Sequence, residues 1–112
     1  MVTPGPATKI YFACAPADMR KSFNGLYTLV ASTLRADPLS GHLFVFCNRR
    51  RDRIKILYFD GSGLWCCAKR LERGTFAWLG GEGPAVELAQ AQFQLLLGGL
   101  DLARTKPRRW MR

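Results

Sequence analysis

Leu43-Phe44-Val45-Phe46-Cys47-Asn48-Arg49-Arg50-Arg51-Asp52-Arg53-Ile54-Lys55-Ile56-Leu57-Tyr58-Phe59-Asp60-Gly61-Ser62-Gly63-Leu64-Trp65 is the stretch whose reading decides the fold. Apolar, aromatic-rich runs suited to strands alternate in it with turn formers. Asp60-Gly61-Ser62-Gly63 marks a tight hairpin, because glycine accepts positive φ at little cost. Asn48 to Asp52 marks a longer one, and it is crowded with arginine. Strands bury their apolar face while their turns stay outside. The stretch therefore predicts a sheet with a cationic rim.

Working outward, strands are expected at Lys9–Cys14, His42–Cys47, Ile54–Phe59 and Leu64–Ala68, with short ones at Thr75–Leu79 and Val86–Leu88. Phe23, Leu26, Tyr27, Val30 and Leu34 recur at offsets of three and four, which predicts a helix over about Met19–Leu34. Asp18 is its expected N-cap, Gly25 an interruption within it, and Asp37-Pro38 its stop. Ala89–Gly98 predicts a second helix, ended by Gly98-Gly99. The fold class expected is α+β: one domain at residues 9–103, with a mainly antiparallel sheet of about five strands. One helix follows the first strand, another lies near the C-terminus, and both pack on one face. Residues 1–8 are expected to form a disordered leader and residues 104–112 a basic, flexible tail.

Charge is distributed unevenly. The 112 residues carry 17 Lys and Arg against 8 Asp and Glu, for a net charge of +9. Residues 49–73 hold a net +5 and residues 101–112 a net +4, whereas residues 74–100 hold no Lys or Arg at all. Such clustering suits a phosphate polymer better than general solubility does. The candidate nucleic-acid contacts are Arg49, Arg50, Arg51, Arg53 and Lys55, then Lys69, Arg70 and Arg73, with Arg20 and Lys21 near the first helix. Arg53 and Lys55 should share one strand face, opposite Ile54 and Ile56. The competing reading of this cluster is a solvated face partly neutralised by Asp52, Asp60 and Glu72. Trp65 and Trp78 are the aromatic candidates for base stacking, although strand aromatics more often fill cores.

Several chemistries fit poorly. The four cysteines form no C-x-x-C pair, and adjacent Cys66 and Cys67 should point to opposite faces of a strand, so neither metal nor cofactor is expected. Carboxylates at Asp37 and Asp60 look like turn formers, and Asp52 and Glu72 like partners of arginine, which leaves no convergent set for two metal ions. Ser22, beside Arg20 and Lys21, reads as a helix-surface serine rather than a nucleophile. Gly61-Ser62-Gly63 lacks the lysine of a phosphate loop. No catalytic residue is expected. No segment approaches the roughly 20 apolar residues of a membrane span, and a reduced cytoplasmic protein is expected.

An ordered series of residues adds a family. It runs through Asp18-Met19-Arg20-Lys21, Gly25-Leu26, Asp37-Pro38, Ser40-Gly41, Leu43-Phe44-Val45-Phe46, Arg49 to Lys55, Leu57-Tyr58, Gly61, Gly63, Lys69-Arg70-Leu71-Glu72, Phe76 and Trp78. On these the chain, over about residues 9–103, resembles the small TnpB-type accessory proteins of the bacterial insertion-sequence family sixty-six. Ser22, Phe59 and Leu79 depart from that pattern, and none of them removes a charge. The resemblance implies a part in transposition beside a separate, larger transposase, and it supplies no catalytic residue. Two roles follow as expectations. One is a DNA-binding accessory factor, the other an adaptor docked on the transposase with little DNA contact. Sheet edges also leave room for a homodimer.

Overall fold

Five consecutive buried residues, Leu43 to Cys47, make β2, and they set the layering of the whole domain. A strand buried on both faces needs cover on both sides of its sheet. The structure is a computed structural model that describes residues 8–98. Along the chain it places β1 (Ile10–Ala13), α1 (Phe23–Ser32), β2 (Leu43–Cys47), β3 (Arg53–Phe59), β4 (Leu64–Arg70), β5 (Ala85–Leu88) and α2 (Gln90–Leu97). The strands form one sheet in the order β4-β3-β2-β1-β5. β1 pairs with β2 in parallel, with α1 as the crossover, and the other three pairings are antiparallel. The α+β class and the placement of both helices along the chain are as the sequence predicts.

The two helices do not share a face. Leu26 and Val30 of α1 pack with Phe44, Phe46 and Leu57. Phe93 and Leu96 of α2 pack with Ile10, Phe12, Leu43, Val45, Ile54 and Ile56. Successive strand side chains point to opposite sides, so these are two cores separated by the sheet. Cys66 packs against the first core and Cys67 against the second, as their adjacency in β4 requires. Burial pushes the Cys47 thiol up to about 11, so it serves as a small apolar filler rather than a nucleophile.

Other expectations shift locally. Thr75–Leu79 is not a strand. Phe76 is fully buried, but its N–H donates to the Arg51 carbonyl at 2.7 Å rather than to a neighbouring strand. The segment fills the core as irregular chain. Asp18 is not the cap of α1, which begins after Ser22; instead the Asp18 carboxylate turns back on Arg20. Gly25 lies inside the helix without dividing it. A Cβ there would come within 2.9 Å of Lys21 Cβ, so glycine makes room for the Lys21 stem. The expected basic tail at 104–112, and all but Thr8 of the expected leader, lie outside the described residues. Among the described residues no helix is long and apolar enough to cross a membrane.

The β3–β4 turn shows how short-range chemistry fixes a hairpin. Asp60 Oδ1 accepts from the Ser62 N–H at 2.8 Å, the Ser62 hydroxyl at 3.0 Å and the Gly63 N–H at 2.9 Å. Its Oδ2 accepts from the Trp65 indole at 2.8 Å. Those donors favour the charged carboxylate and hold it well below the usual Asp value, with the indole contributing most. A depressed folded-state value means that the turn's contribution is complete above the unfolded value and is lost as pH falls through the folded one. In an NMR acid titration, the Trp65 indole signal is expected to move only well below the ordinary Asp midpoint of about 3.9. A midpoint at the ordinary value would show that the network does not form in solution.

Candidate nucleic-acid interface

The arginine turn is built around Asn48. Its backbone N–H donates to the Arg53 carbonyl at 3.1 Å, and its own carbonyl accepts from Arg51 N–H at 3.1 Å. Its side-chain oxygen accepts from the N–H groups of Asp52 and Arg53, each at 3.1 Å, while its amide donates to Asp52 Oδ1 at 2.7 Å. That last bond is the chief reason the Asp52 carboxyl sits below its ordinary value. The segment after β4 clamps the turn from outside, through Leu71 N–H on the Asp52 carbonyl and Phe76 N–H on the Arg51 carbonyl. Arg49, Arg50 and Arg51 are thus presented on an ordered scaffold, with all three side chains exposed. Asn48→Ala removes three of these bonds, and unfolding in urea is expected to lose about 1–3 kcal/mol. An unchanged midpoint would mean that the clamp alone holds the turn.

Arg53 and Arg70 form the last rung of the β3–β4 ladder, directly opposite one another and so on the same face. Like charges in that position oppose pairing. Only Arg70 has an acidic partner, Glu72, at 3.0 Å; both side chains are largely exposed, so the pair is worth little. Among the described residues, Arg49, Arg50, Arg51 and Arg53 make no ion pair. Lys55 lies two residues along the same face as Arg53 and donates its Nζ to the Lys21 carbonyl at 2.7 Å, which ties the lead-in of α1 to the rim. Met19, Arg53, Lys55, Ala68, Arg70 and Glu72 line an open cleft of about 460 Å³ there.

The remaining expected contacts divide. Ala17 N–H donates to the Cys47 carbonyl at 2.9 Å, so the segment with Arg20 and Lys21 stands at the same end of the sheet. Arg20, however, is held by Asp18 in a two-pronged pair, with Nη2 at 2.7 Å from Oδ2, and this lowers the Asp18 carboxyl to about 2. Lys69 faces the opposite side of β4, where its Nζ donates to the Leu97 carbonyl at the end of α2. A cation at that position also complements the helix dipole. Arg73 is exposed just beyond β4. Of the two candidate tryptophans, Trp78 packs edge-on against Phe12 at 5.6 Å, whereas Trp65 is half exposed. The organising role of Asn48 was missed at the level of sequence. Its signal was an Asn four residues before an Asp inside a hairpin loop.

A family model described as IS66 Orf2 like protein matches residues 8–107. Two proteins of Sinorhizobium fredii (strain NBRC 101917 / NGR234), both described as uncharacterized, are similar along nearly their whole length. The protein y4jC is 41% identical over 106 residues, covering 95% of this chain and 91% of its own. The protein y4hO is 38% identical over 101 residues, covering 90% and 88%. No solved structure matches the chain.

Proposed function

Because the chain belongs to the IS66 Orf2-like family of transposition accessory proteins, we propose that it is a non-catalytic factor that grips DNA through the arginine turn and the rung beside it. The observation that carries this reading is the like-charged Arg53–Arg70 rung, compensated only by an exposed Glu72 on Arg70, next to three exposed arginines. Apposed guanidinium groups cost folding energy unless an anion shares them. Duplex DNA offers one phosphate charge per about 1.7 Å of axis, and arginine forks readily onto phosphate oxygens. The scaffold around Asn48 supports the reading, since it orders the backbone that carries the arginines before any DNA arrives.

The non-catalytic part is supported by how the carboxylates are used. Asp18 holds Arg20, Asp52 holds Asn48, Asp60 holds its turn, and Glu72 holds Arg70. The strand-transfer chemistry then belongs to the separate, larger transposase of the same element, which is the expected protein partner. The test is binding of the purified protein to labelled element-end and unrelated duplexes over a salt series. Steep salt dependence is expected, with a slope of about −0.9 per phosphate engaged. Absence of binding at low salt would instead favour an adaptor whose arginine turn docks on an acidic surface of the transposase. That adaptor would co-purify with the transposase after nuclease treatment.

A further inference from the structure

Among the described residues, two other than glycine adopt positive φ, and both are arginines: Arg51 at +62° in the turn and Arg35 at +53° beyond α1. After α1 the chain closes with Leu34 N–H on the Leu29 carbonyl and Ala36 N–H on the Val30 carbonyl, both at 3.0 Å. That closure calls for a left-handed residue, and glycine supplies one without steric penalty. Arginine stands there instead, which points to a use for its side chain.

Arg35 lines a second cavity, of about 330 Å³, together with Tyr11, Asp37, Ser40, His42 and Phe44. Its aromatic wall is fixed. Tyr11 stacks on Phe44 with ring centroids 5.8 Å apart and meets His42 edge-on at 5.9 Å. His42 Nδ1 accepts from the Lys9 N–H at 3.0 Å, so the neutral imidazole carries its proton on Nε2 and is a donor there. Ser40 Oγ accepts from the His42 N–H at 3.3 Å, which leaves its hydroxyl hydrogen to donate. Asp37 Oδ1 accepts from the Leu39 N–H at 2.9 Å, and its carboxylate lines the same cavity, so a bound phosphate must lie on the Arg35 side of it. A cation, two neutral donors and a stacked aromatic wall around one cavity match a phosphate attached to a planar base.

We propose that this cavity binds a nucleoside phosphate, either the terminal nucleotide of a strand or a free mononucleotide. The phosphate lies on Arg35, His42 and Ser40, and the base lies against the half-buried Tyr11 ring, which the fully buried Phe44 backs. The choice of a nucleotide over other phosphate esters rests on the DNA-binding reading above, but the site is separate. Lys55 meets the chain just before α1, the cavity lies just after it, and the ten residues of the helix span roughly 15 Å.

The probes are a deoxynucleoside monophosphate, the matching nucleoside, inorganic phosphate, and one single-stranded oligonucleotide with and without a 5′-phosphate. Binding is followed by calorimetry and by NMR shifts of Tyr11, His42 and Phe44. The monophosphate is expected to bind at least tenfold more tightly than nucleoside or inorganic phosphate. Arg35→Gly keeps the left-handed backbone, so it is expected to weaken that binding at least tenfold with an unchanged or higher Tm and unchanged duplex affinity. Tighter binding of the 5′-phosphorylated strand than of the free nucleotide assigns a strand end; equal binding assigns the free nucleotide. A variant lacking the arginine turn should lose duplex DNA and keep the monophosphate. If it keeps duplex affinity instead, the turn reading fails while this cavity stands. Full monophosphate affinity in Arg35→Gly, or no monophosphate binding by the unaltered protein, overturns the proposal.

Discussion

Arg49→Ala, Arg50→Ala, Arg51→Gly and Arg53→Ala together are expected to lower duplex DNA affinity by about two orders of magnitude or more near 0.1 M salt. They should flatten the salt slope by about 0.9 for each arginine that sat on a phosphate. Gly is the choice at position 51 because its φ of +62° strains any residue with a Cβ. The exchange relieves roughly 1 kcal/mol there, while the other three side chains are exposed and no ion pair among the described residues is broken. The folded state should therefore survive, and thermal melting checks that it does. Affinity and slope both unchanged would remove the arginine turn as the DNA contact. A lower affinity with an unchanged slope would mean that the turn acts by shape and not by phosphate charge.

Phe12→Ala should have the largest effect on stability. Phe12 is fully buried in the α2-side core, packs edge-on against Trp78, and sits on a strand flanked by β2 and β5. Removing a buried phenyl costs about 3–5 kcal/mol. Domains of this size are typically stable by about 5–15 kcal/mol, so the variant should stand near the edge of folding. Urea unfolding followed by tryptophan fluorescence reads the loss. Phe23→Ala is the control: Phe23 is 45% exposed at the start of α1, and a change of only about 0.5 kcal/mol is expected. Equal losses in the two variants would contradict the placement of β1 inside the sheet.

Much of this architecture was legible because it is local. The β3–β4 hairpin follows from Asp60-Gly61-Ser62-Gly63 alone, and the arginine turn from a loop between two apolar runs. The face shared by Arg53 and Lys55 follows from strand alternation. What escaped was non-local. Nothing near β1 announces that it runs parallel to β2 and takes β5 on its other edge. The opposed helices were signalled, though, by the unbroken apolar run Leu43–Cys47, which asks for cover on two faces. Thr75–Leu79 has strand composition, yet its Phe76 N–H is taken by the arginine turn. Lys69 and Arg70 look alike in sequence, but the β4 register sends them to opposite faces: one closes α2 and the other joins the rim.

The sheet order also sets a timetable for the chain's synthesis. β2, β3 and β4 are neighbours in sequence and in space, so they can pair as soon as they leave the ribosome. β1 emerges first but sits between β2 and β5, and β5 ends at Leu88. One edge of the earliest strand therefore stays open until nearly the whole domain has been translated. Phe12, on that strand, cannot be sealed under α2 before residues 90–97 appear. The nascent protein thus carries a half-finished sheet for most of its elongation, and a ribosome stalled before β5 would hold a chain whose first strand still presents an edge to any passing partner.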